Sequence, residues 1–422
     1  MRFIADLHIH SRYSRATSKD MSPEGIWRSA QLKGISVIGT GDFTHPGWLG
    51  ELREKTENAG NGLFCLKKEF HADVPASCRA GVHFLLSAEI SCIYRKYGKT
   101  RKIHCLLFVP DFSDAERINS ALSKIGNLSA DGRPILGLDA KDLLAIALDA
   151  SPSGILVPAH AWTPHFSVFG AASGFDALEE CFEDLTQHIY AIETGLSSDP
   201  LMNRRLSRLD DIMLISNSDA HSPAKIGREA NIFDTEISFD SVMNSVKSGE
   251  GFAGTIEFFP EEGKYHYDGH RACDVCLPPA ETITRNGLCP VCGKRLTIGV
   301  MHRVEELADR KEGFRPKGAP SFHSLIPLLE IVAETRKVGV NSKAVQNEYL
   351  TLINNLGNEF SILMDLPPET IVRAGFPLLA DAIGRMRAGD VSISPGYDGV
   401  YGKIRVFGKA EKKEIRGQGM PY

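Results

Sequence analysis

Histidine and carboxylate side chains recur wherever a strand-like run ends, and this recurrence constrains the fold more than any other feature of the 422 residues. In Phe3-Ile4-Ala5-Asp6-Leu7-His8-Ile9-His10 the odd positions are apolar, while Asp6, His8 and His10 fall on the opposite face of a period-two strand. Asp42 and His45 follow a second run at 35–38. Glu89 lies within a third at 82–94, and His104 opens a fourth at 103–109. His160 ends a run at 154–159, Glu193 one at 189–193, and Asp219 and His221 follow one at 212–217. Helical patterns alternate with these runs. Ser22-Pro23-Glu24 reads as an N-cap with Pro at N1, opening a helix that stops near Gly34. Such alternation predicts an α/β fold, a barrel or sheet of mainly parallel strands, in which strand ends far apart in sequence meet on one face.

Nitrogen and oxygen donors in this mixture suit zinc, manganese or iron better than calcium. The expected metal set is His8, His10, Asp42, His45, Glu89, His104, His160, Glu193, Asp219 and His221, with Glu89 as the carboxylate shared between ions. Two or three divalent ions held this way can lower the pKa of water and orient a phosphate for in-line attack. His8, His10, Glu89, Glu193 and Asp219 form the expected catalytic group, Glu193 as ligand or base. His71, His83, His165, His188, His266, His270, His302 and His323 lack strand-end placement and read as surface or packing residues.

Four of the nine cysteines form Cys273-x2-Cys276-x12-Cys289-x2-Cys292, the spacing of a tetrahedral four-thiolate zinc site that is structural in kind. Paired C-x-x-C motifs with an odd total argue for a reducing compartment and against a disulfide framework. Cys65, Cys78, Cys92, Cys105 and Cys181 read as buried apolar residues. No basic-apolar leader and no apolar run of membrane-spanning length are visible, which predicts a cytoplasmic protein with no membrane partner. The net charge of −5 divides into an acidic first part and a mildly basic second part. Breaks in pattern divide the chain into 1–262, a catalytic metal domain; 263–300, the cysteine module; and 301–422, a linker plus a helical domain whose charge suits a polyanion and which ends in a basic tail. The helical pattern is read from Ser321 to about Arg387, and the linker over 300–320.

Asp6-Leu7-His8-Ile9-His10-Ser11, Thr40-Gly41-Asp42, Glu89, His104, His160 and Asn217-Ser218-Asp219-Ala220-His221 resemble the motifs of the PHP (polymerase and histidinol phosphatase) superfamily. That resemblance implies a distorted seven-stranded β/α barrel that cleaves phosphoesters with up to three metals. Gly41-Asp42-Phe43 departs from the Thr-Asp-His tripeptide of many members, so the third metal could draw on either Asp42 or His45. The order of barrel, four-cysteine module, helical domain and a Pro-Gly-Tyr-Asp-Gly-Val-Tyr-Gly end at 395–402 resembles the endonuclease Q family. It implies cleavage 5′ to deaminated bases (hypoxanthine, uracil, xanthine) or abasic sites, leaving a 3′-hydroxyl and a 5′-phosphate. Zinc is the implied ion in the cysteine module and at the barrel, with magnesium or manganese as alternatives for activity. Damaged DNA is the expected partner. Its candidate contacts are Arg12, Tyr13, Trp162, Ser197, Ser198, Lys225 and Arg228 at the barrel mouth and Arg285, Lys294 and Arg295 on the cysteine module; Arg204 and Arg205 read as a solvated helix face. Gln418-Gly419-Met420-Pro421-Tyr422 lacks the paired aromatics of a sliding-clamp motif, which argues against clamp binding. The rival readings are a small-molecule phosphoesterase of histidinol-phosphatase type and a non-catalytic zinc-ribbon DNA-binding scaffold.

Overall fold

Elements alternate through the first part of the chain in the order β1 (Arg2–Asp6), α1 (Pro23–Lys33), β2 (Val37–Gly39), α2 (Pro46–Lys55), β3 (Thr56–Asn58), β4 (Phe64–Leu66), β5 (His83–Lys96), β6 (Lys99–Val109), α3 (Phe112–Leu122), β7 (Ile135–Leu136), α4 (Ala140–Ala150), β8 (Ile155–Pro158), α5 (Leu178–Phe182), β9 (Ala191–Glu193), α6 (Pro200–Asn203), β10 (Met213–Ile215), β11 (Ala230–Asp234), α7 (Phe239–Ser248) and β12 (Phe252–Glu257). They are seen in a computed structural model that describes residues 1–408; the basic tail and residues 418–422 lie outside the described residues. Local chemistry explains the boundaries. Ser22 Oγ accepts from the Gly25 N–H at the start of α1, Pro23 occupies its first turn, and Gly34 ends it in the left-handed region at φ 87°.

The ladder runs β12–β11–β1–β2–β5–β6–β8, and the parallel pair β9–β10 lies beside β8. A parallel bridge between Ile9 and Ala220 brings the segment after β1 to the segment after β10, closing a distorted barrel. Pairing is more mixed than the sequence suggested. β1–β2 and β2–β5 are parallel, but β6 is antiparallel to both β5 and β8, and β11 is antiparallel to β1. The cause is the two-residue turn Tyr97-Gly98, whose φ values of 53° and 74° suit a tight hairpin between β5 and β6.

Side-chain alternation builds the site from these strands. Leu85, Leu106, Phe108, Ala191 and Ile215 join one apolar cluster with Leu7, Val37 and Val157, against which α7 packs Phe239, Val242, Met243 and Val246. Two and four residues along the same strand faces stand Ser87 and Glu89, His104, Glu193 and Asn217. The face that is oily at the floor of the barrel therefore turns polar at its mouth. In β6 that order runs backwards in sequence because the strand is reversed.

Beyond β12, β13 (Asp268–His270) and β14 (Val275–Leu277) form a hairpin in the cysteine module, followed by α8 (Pro279–Thr284) and α9 (Val300–Leu307). The expected linker thus begins as a helix. Residues Ser321–Ser324 form β15, parallel to β12, so the helical pattern starts with α10 (Leu328–Arg336) instead of at Ser321. α11 (Lys343–Leu356), α12 (Pro368–Arg373) and α13 (Pro377–Arg387) complete a helical unit, and β16 (Ser392–Ser394) pairs with β17 (Lys403–Arg405). A buried ion pair, Lys33 Nζ to Glu359 Oε2 at 2.7 Å, ties α1 to this unit. The turn between β16 and β17 straps the cysteine module: Asp398 accepts from the Arg271 N–H and the Thr297 hydroxyl, and the Tyr397 hydroxyl donates to Asp274. No helix among the described residues is long and apolar enough to cross a membrane.

Candidate metal centre

Two sets of ligand atoms converge at the barrel mouth and share Glu89. His8, His10, Glu89 and Asp219 form one set; Glu89, His104 and His160 form the other. Within the first, His10 Nε2 lies 3.1 Å from both Glu89 Oε2 and Asp219 Oδ1, and His8 Nε2 lies 3.6 Å from each. Within the second, Glu89 Oε1 is 2.6 Å from His104 Nδ1 and 3.1 Å from His160 Nε2.

Hydrogen bonds on the far side of each ring decide which nitrogen is free. His8 Nδ1 meets Glu193 Oε1 and Oε2 at 3.0 and 3.1 Å, and His10 Nδ1 meets Asp42 Oδ1 at 3.0 Å. Carboxylates only accept, so both Nδ1 atoms carry a proton and both Nε2 atoms face inward, free to ligate once their own proton leaves. His160 Nδ1 lies 3.1 Å from Thr163 Oγ1, whose own proton goes to the His165 carbonyl at 2.8 Å, which leaves His160 Nε2 as the lone pair. His221 donates Nδ1–H to the Asp219 carbonyl at 2.9 Å, and its ring lies 4.6 Å from that of His10. His8 Nε2, His10 Nε2 and Asp219 Oδ1 are buried without a hydrogen-bond partner, an arrangement that costs several kcal/mol unless a cation satisfies it. The donor set therefore fits divalent metal.

Charge points the same way. Burial would lower His8 and His10, but Glu193 and Glu89 around the first and Asp42 around the second override it and raise both well above the ordinary value, so the carboxylates favour a cation here and a divalent ion would displace the Nε2 protons. Burial would raise Glu89 and Asp219, yet the surrounding histidines, with Arg133 beside Glu89, hold both well below the carboxylate range. His104 falls to about 4, chiefly through burial. Backbone strain gathers here too: Asp42, His160 and Asp219 hold φ values of 52°, 29° and 46°. Gly41 must be glycine, because a Cβ there would sit 2.2 Å from the Ile9 carbonyl oxygen.

Several sequence-derived candidates occupy other places. Asp6, placed by the sequence pattern on the face of His8 and His10 but outside the expected ligand set, accepts from the N–H groups of Ser218 and Gly227. Glu193 and Asp42 orient His8 and His10 from behind. Asp42 is also saturated by the Ser11 N–H and hydroxyl and the Ser14 hydroxyl. His45 caps α2, accepting from the Trp48 N–H, with its ring 4.5 Å from that of Tyr13; neither it nor Asp42 enters a ligand cluster. Trp162 is 1% exposed and donates to Asn203, and Ser198 is buried between Thr194 and Asn203, so neither presents a surface to a base. Ser197 is half-buried. Arg12 is paired with Glu51, Lys225 with Glu330, and Arg228 donates to the Ser218 and Asp219 carbonyls, which shapes the Asp219 loop. Arg204 and Arg205 are buried, not solvated: Arg204 donates to the Leu209 and Ile212 carbonyls and Arg205 pairs with Glu305. Arg285, Lys294 and Arg295 are exposed on the cysteine module.

In that module Cys273, Cys289 and Cys292 converge with His270, and Cys276 stands outside the group. The hairpin register gives the reason. Gly269 opposes Cys276 and His270 opposes Val275, so His270 and Cys276 point to opposite faces. His270, read from sequence as a surface or packing residue, has its Nδ1 3.5 Å from Cys292 Sγ. Two further participants were not singled out: Asn217, which donates to Glu193 and accepts from the Leu7 N–H, and Arg133, 3.0 Å from Glu89 Oε2. Asn217 stood in a quoted motif, whereas Arg133 lies in a loop with no periodicity to mark it.

Comparison with known proteins adds independent findings. Residues 327–390 match the family model described as the MJ0043 C-terminal domain, and residues 203–250 the one described as PHP-associated. The chain is 33% identical over 251 residues to the uncharacterized protein MJ0043 of Methanocaldococcus jannaschii, spanning 58% of this chain but only 31% of that protein. It is 29% identical to uncharacterized YqxK of Bacillus subtilis over 96% of this chain and 99% of that one. The crystal structure of the lesion-specific endonuclease PfuEndoQ from Pyrococcus furiosus aligns over 100% of both chains with TM-score 0.84 and 31% identity. Endonuclease Q in complex with a 27-mer duplex bearing an abasic lesion at the active site aligns over 99% of this chain and 100% of that one, with TM-score 0.83 and 32% identity.

Proposed function

The chain belongs to the endonuclease Q family, within the PHP superfamily, and we propose that it is a metal-dependent DNA-repair endonuclease that cuts 5′ to a deaminated base or an abasic site, leaving a 3′-hydroxyl and a 5′-phosphate. The observation that carries this reading is the pair of buried ligand sets sharing Glu89, with lone pairs and a carboxylate oxygen aimed at a common centre. His8, His10, Glu89 and Asp219 would hold one divalent ion, and Glu89, His104 and His160 a second; zinc fits the nitrogen-rich donor set, with magnesium or manganese as alternatives for activity. When bound, such ions supply Lewis acidity toward water and phosphoryl oxygen. Glu193 and Asp42 keep His8 and His10 in the ligating tautomer, the Asp219 loop is braced by Arg228, and half-exposed His221 borders the mouth.

Residues 1–262 are the catalytic unit in this reading, 263–300 a zinc module built on His270, Cys273, Cys289 and Cys292, and the remainder a helical unit that contacts DNA. Exposed Arg285, Lys294 and Arg295 supply the charge that a phosphate backbone requires from a chain of net −5. Access to the 5′ phosphate of a lesion requires local unstacking, which costs a few kcal/mol and is cheapest at weakened pairs. A cytoplasmic enzyme working at the nucleoid is consistent with this role.

The test is cleavage of end-labelled duplexes carrying hypoxanthine, uracil, an abasic site or no lesion, with and without chelator. The expected result is chelator-sensitive cutting 5′ to the lesion, abolished by His8→Ala and Asp219→Asn at saturating metal. Hydrolysis of a small phosphomonoester with every duplex intact would overturn the DNA reading.

A further inference from the structure

We infer that Arg133 is a catalytic residue that grips a non-bridging oxygen of the scissile phosphodiester; this deepens, and rests on, the nuclease reading above. Its guanidinium lies 3.0 Å from Glu89 Oε2, the same oxygen that stands 3.1 Å from His10 Nε2. The Arg133 side chain is 30% exposed while the carboxylate it pairs with is fully buried, so it reaches from solvent to the centre.

The loop that carries it is built to hold it there. Asp131 accepts from the N–H groups of Arg15 and Arg133, the Gly132 N–H donates to the Tyr13 carbonyl, and the Thr44 hydroxyl donates to the Gly132 carbonyl. The Ser91 N–H on β5 donates to the Pro134 carbonyl. Gly132 presses so closely on the Asp42 network that a Cβ there would lie 2.4 Å from Asp42 Oδ2 and 2.3 Å from Ser14 Oγ. A loop anchored from β5, from the loop after β1 and from the loop after β2 is more than a surface ion pair with Glu89 requires.

Charge balance gives the loop its purpose. Four carboxylates, Asp42, Glu89, Glu193 and Asp219, surround the centre; two divalent ions, taking the place of the protons on the rings, would cancel their charge and leave the centre neutral. Arg133 then adds one positive charge, equal and opposite to the single negative charge of a phosphodiester. With Glu89 oxygens engaged as ligands, the Arg133 guanidinium would be released from them, and its planar fork matches two oxygens of a phosphate.

Arg133→Gln tests this, with Arg133→Lys as the charge-preserving comparison. Metal content and melting temperature are measured first; both are expected to match wild type. Equilibrium binding of the dinucleotide TpT, which has one phosphodiester, to the metal-loaded protein is expected to weaken at least tenfold in Arg133→Gln and less in Arg133→Lys. Single-turnover cleavage of the lesion duplex is expected to fall about 100–1000-fold, the loss typical of one transition-state donor. Equal TpT affinity in wild type and Arg133→Gln, including no measurable binding by either, overturns the proposal, as does a loss of metal that parallels the loss of binding. Failure of wild type to cut any lesion duplex defeats the nuclease reading instead, while the TpT comparison still decides the role of Arg133.

Discussion

Replacing Asp42 by Asn should disarm His10 without touching a ligand atom. Asp42 Oδ2 receives three donors, the Ser11 N–H at 2.7 Å, the Ser11 hydroxyl at 2.6 Å and the Ser14 hydroxyl at 2.9 Å, while Oδ1 receives His10 Nδ1–H at 3.0 Å. An asparagine satisfies the serine side only with its oxygen there, which turns its NH2 toward His10. Nδ1 must then accept, the ring proton moves to Nε2, and the lone pair aimed at the centre is lost. Flipping the amide instead leaves the buried Ser11 N–H facing a donor, at a cost of about 1–3 kcal/mol. Losses of ligand-orienting partners typically weaken metal binding about 10–100-fold, equivalent to about 1.4–2.7 kcal/mol. Competition with a chromogenic chelator measures that affinity, and two-bond nitrogen–proton spectra of the metal-free protein, taken at a pH high enough to remove the second ring proton, report the tautomer. The expected spectrum changes from Nδ1–H in wild type to Nε2–H in Asp42→Asn. Wild-type affinity, or an unchanged His10 tautomer, would refute the reasoning.

Lys33→Met should destabilise the protein by about 3–5 kcal/mol in urea unfolding, because it strands Glu359 in a pair that is only 6% and 4% exposed. Adding Glu359→Gln should recover most of that loss, since a glutamine oxygen still accepts from the Leu328 N–H or the Tyr349 hydroxyl. In the cysteine module, His270→Ala should lose the zinc of the module while Cys276→Ala keeps it, as measured by atomic emission after dialysis. Glu257 is pushed up to about 8, chiefly by burial, so the folded state retains a proton that the unfolded chain releases above its ordinary value of 4.5. Stability contributed by this group therefore falls as pH rises from about 4.5 to about 8, with a limiting slope of about 1.4 kcal/mol per pH unit, and thermal melts of Glu257→Gln should show that slope reduced.

Much of this architecture is legible in the sequence, for reasons that are local. The cap, first-turn proline and terminal glycine of α1 act within a few residues, so its ends at Pro23 and Lys33 could be read directly. The ligands could be placed because each lies in, or directly beside, a strand-like run. What escaped depends on partners remote in sequence. The reversal of β6 follows from the backbone of Tyr97-Gly98, and β15 is a strand only because the edge of β12 is there to pair with it. Trp162 stands beside a ligand in sequence but inside the fold in space, its indole N–H taken up by Asn203. Cys276 has the spacing of a zinc ligand, yet the hairpin register turns it away and offers His270. Arg133 carries no pattern at all, and its place over Glu89 emerges only from the contacts that fix its loop.

The most direct test of the account is the metal content of Glu89→Gln after dialysis against trace zinc, measured beside wild type. One carboxylate shared by two ligand sets means that one substitution should empty both: wild type is expected to hold three equivalents per chain and Glu89→Gln one, the ion of the cysteine module. Two equivalents or more in Glu89→Gln would show that the two sets do not depend on a common carboxylate, and would contradict the centre described above.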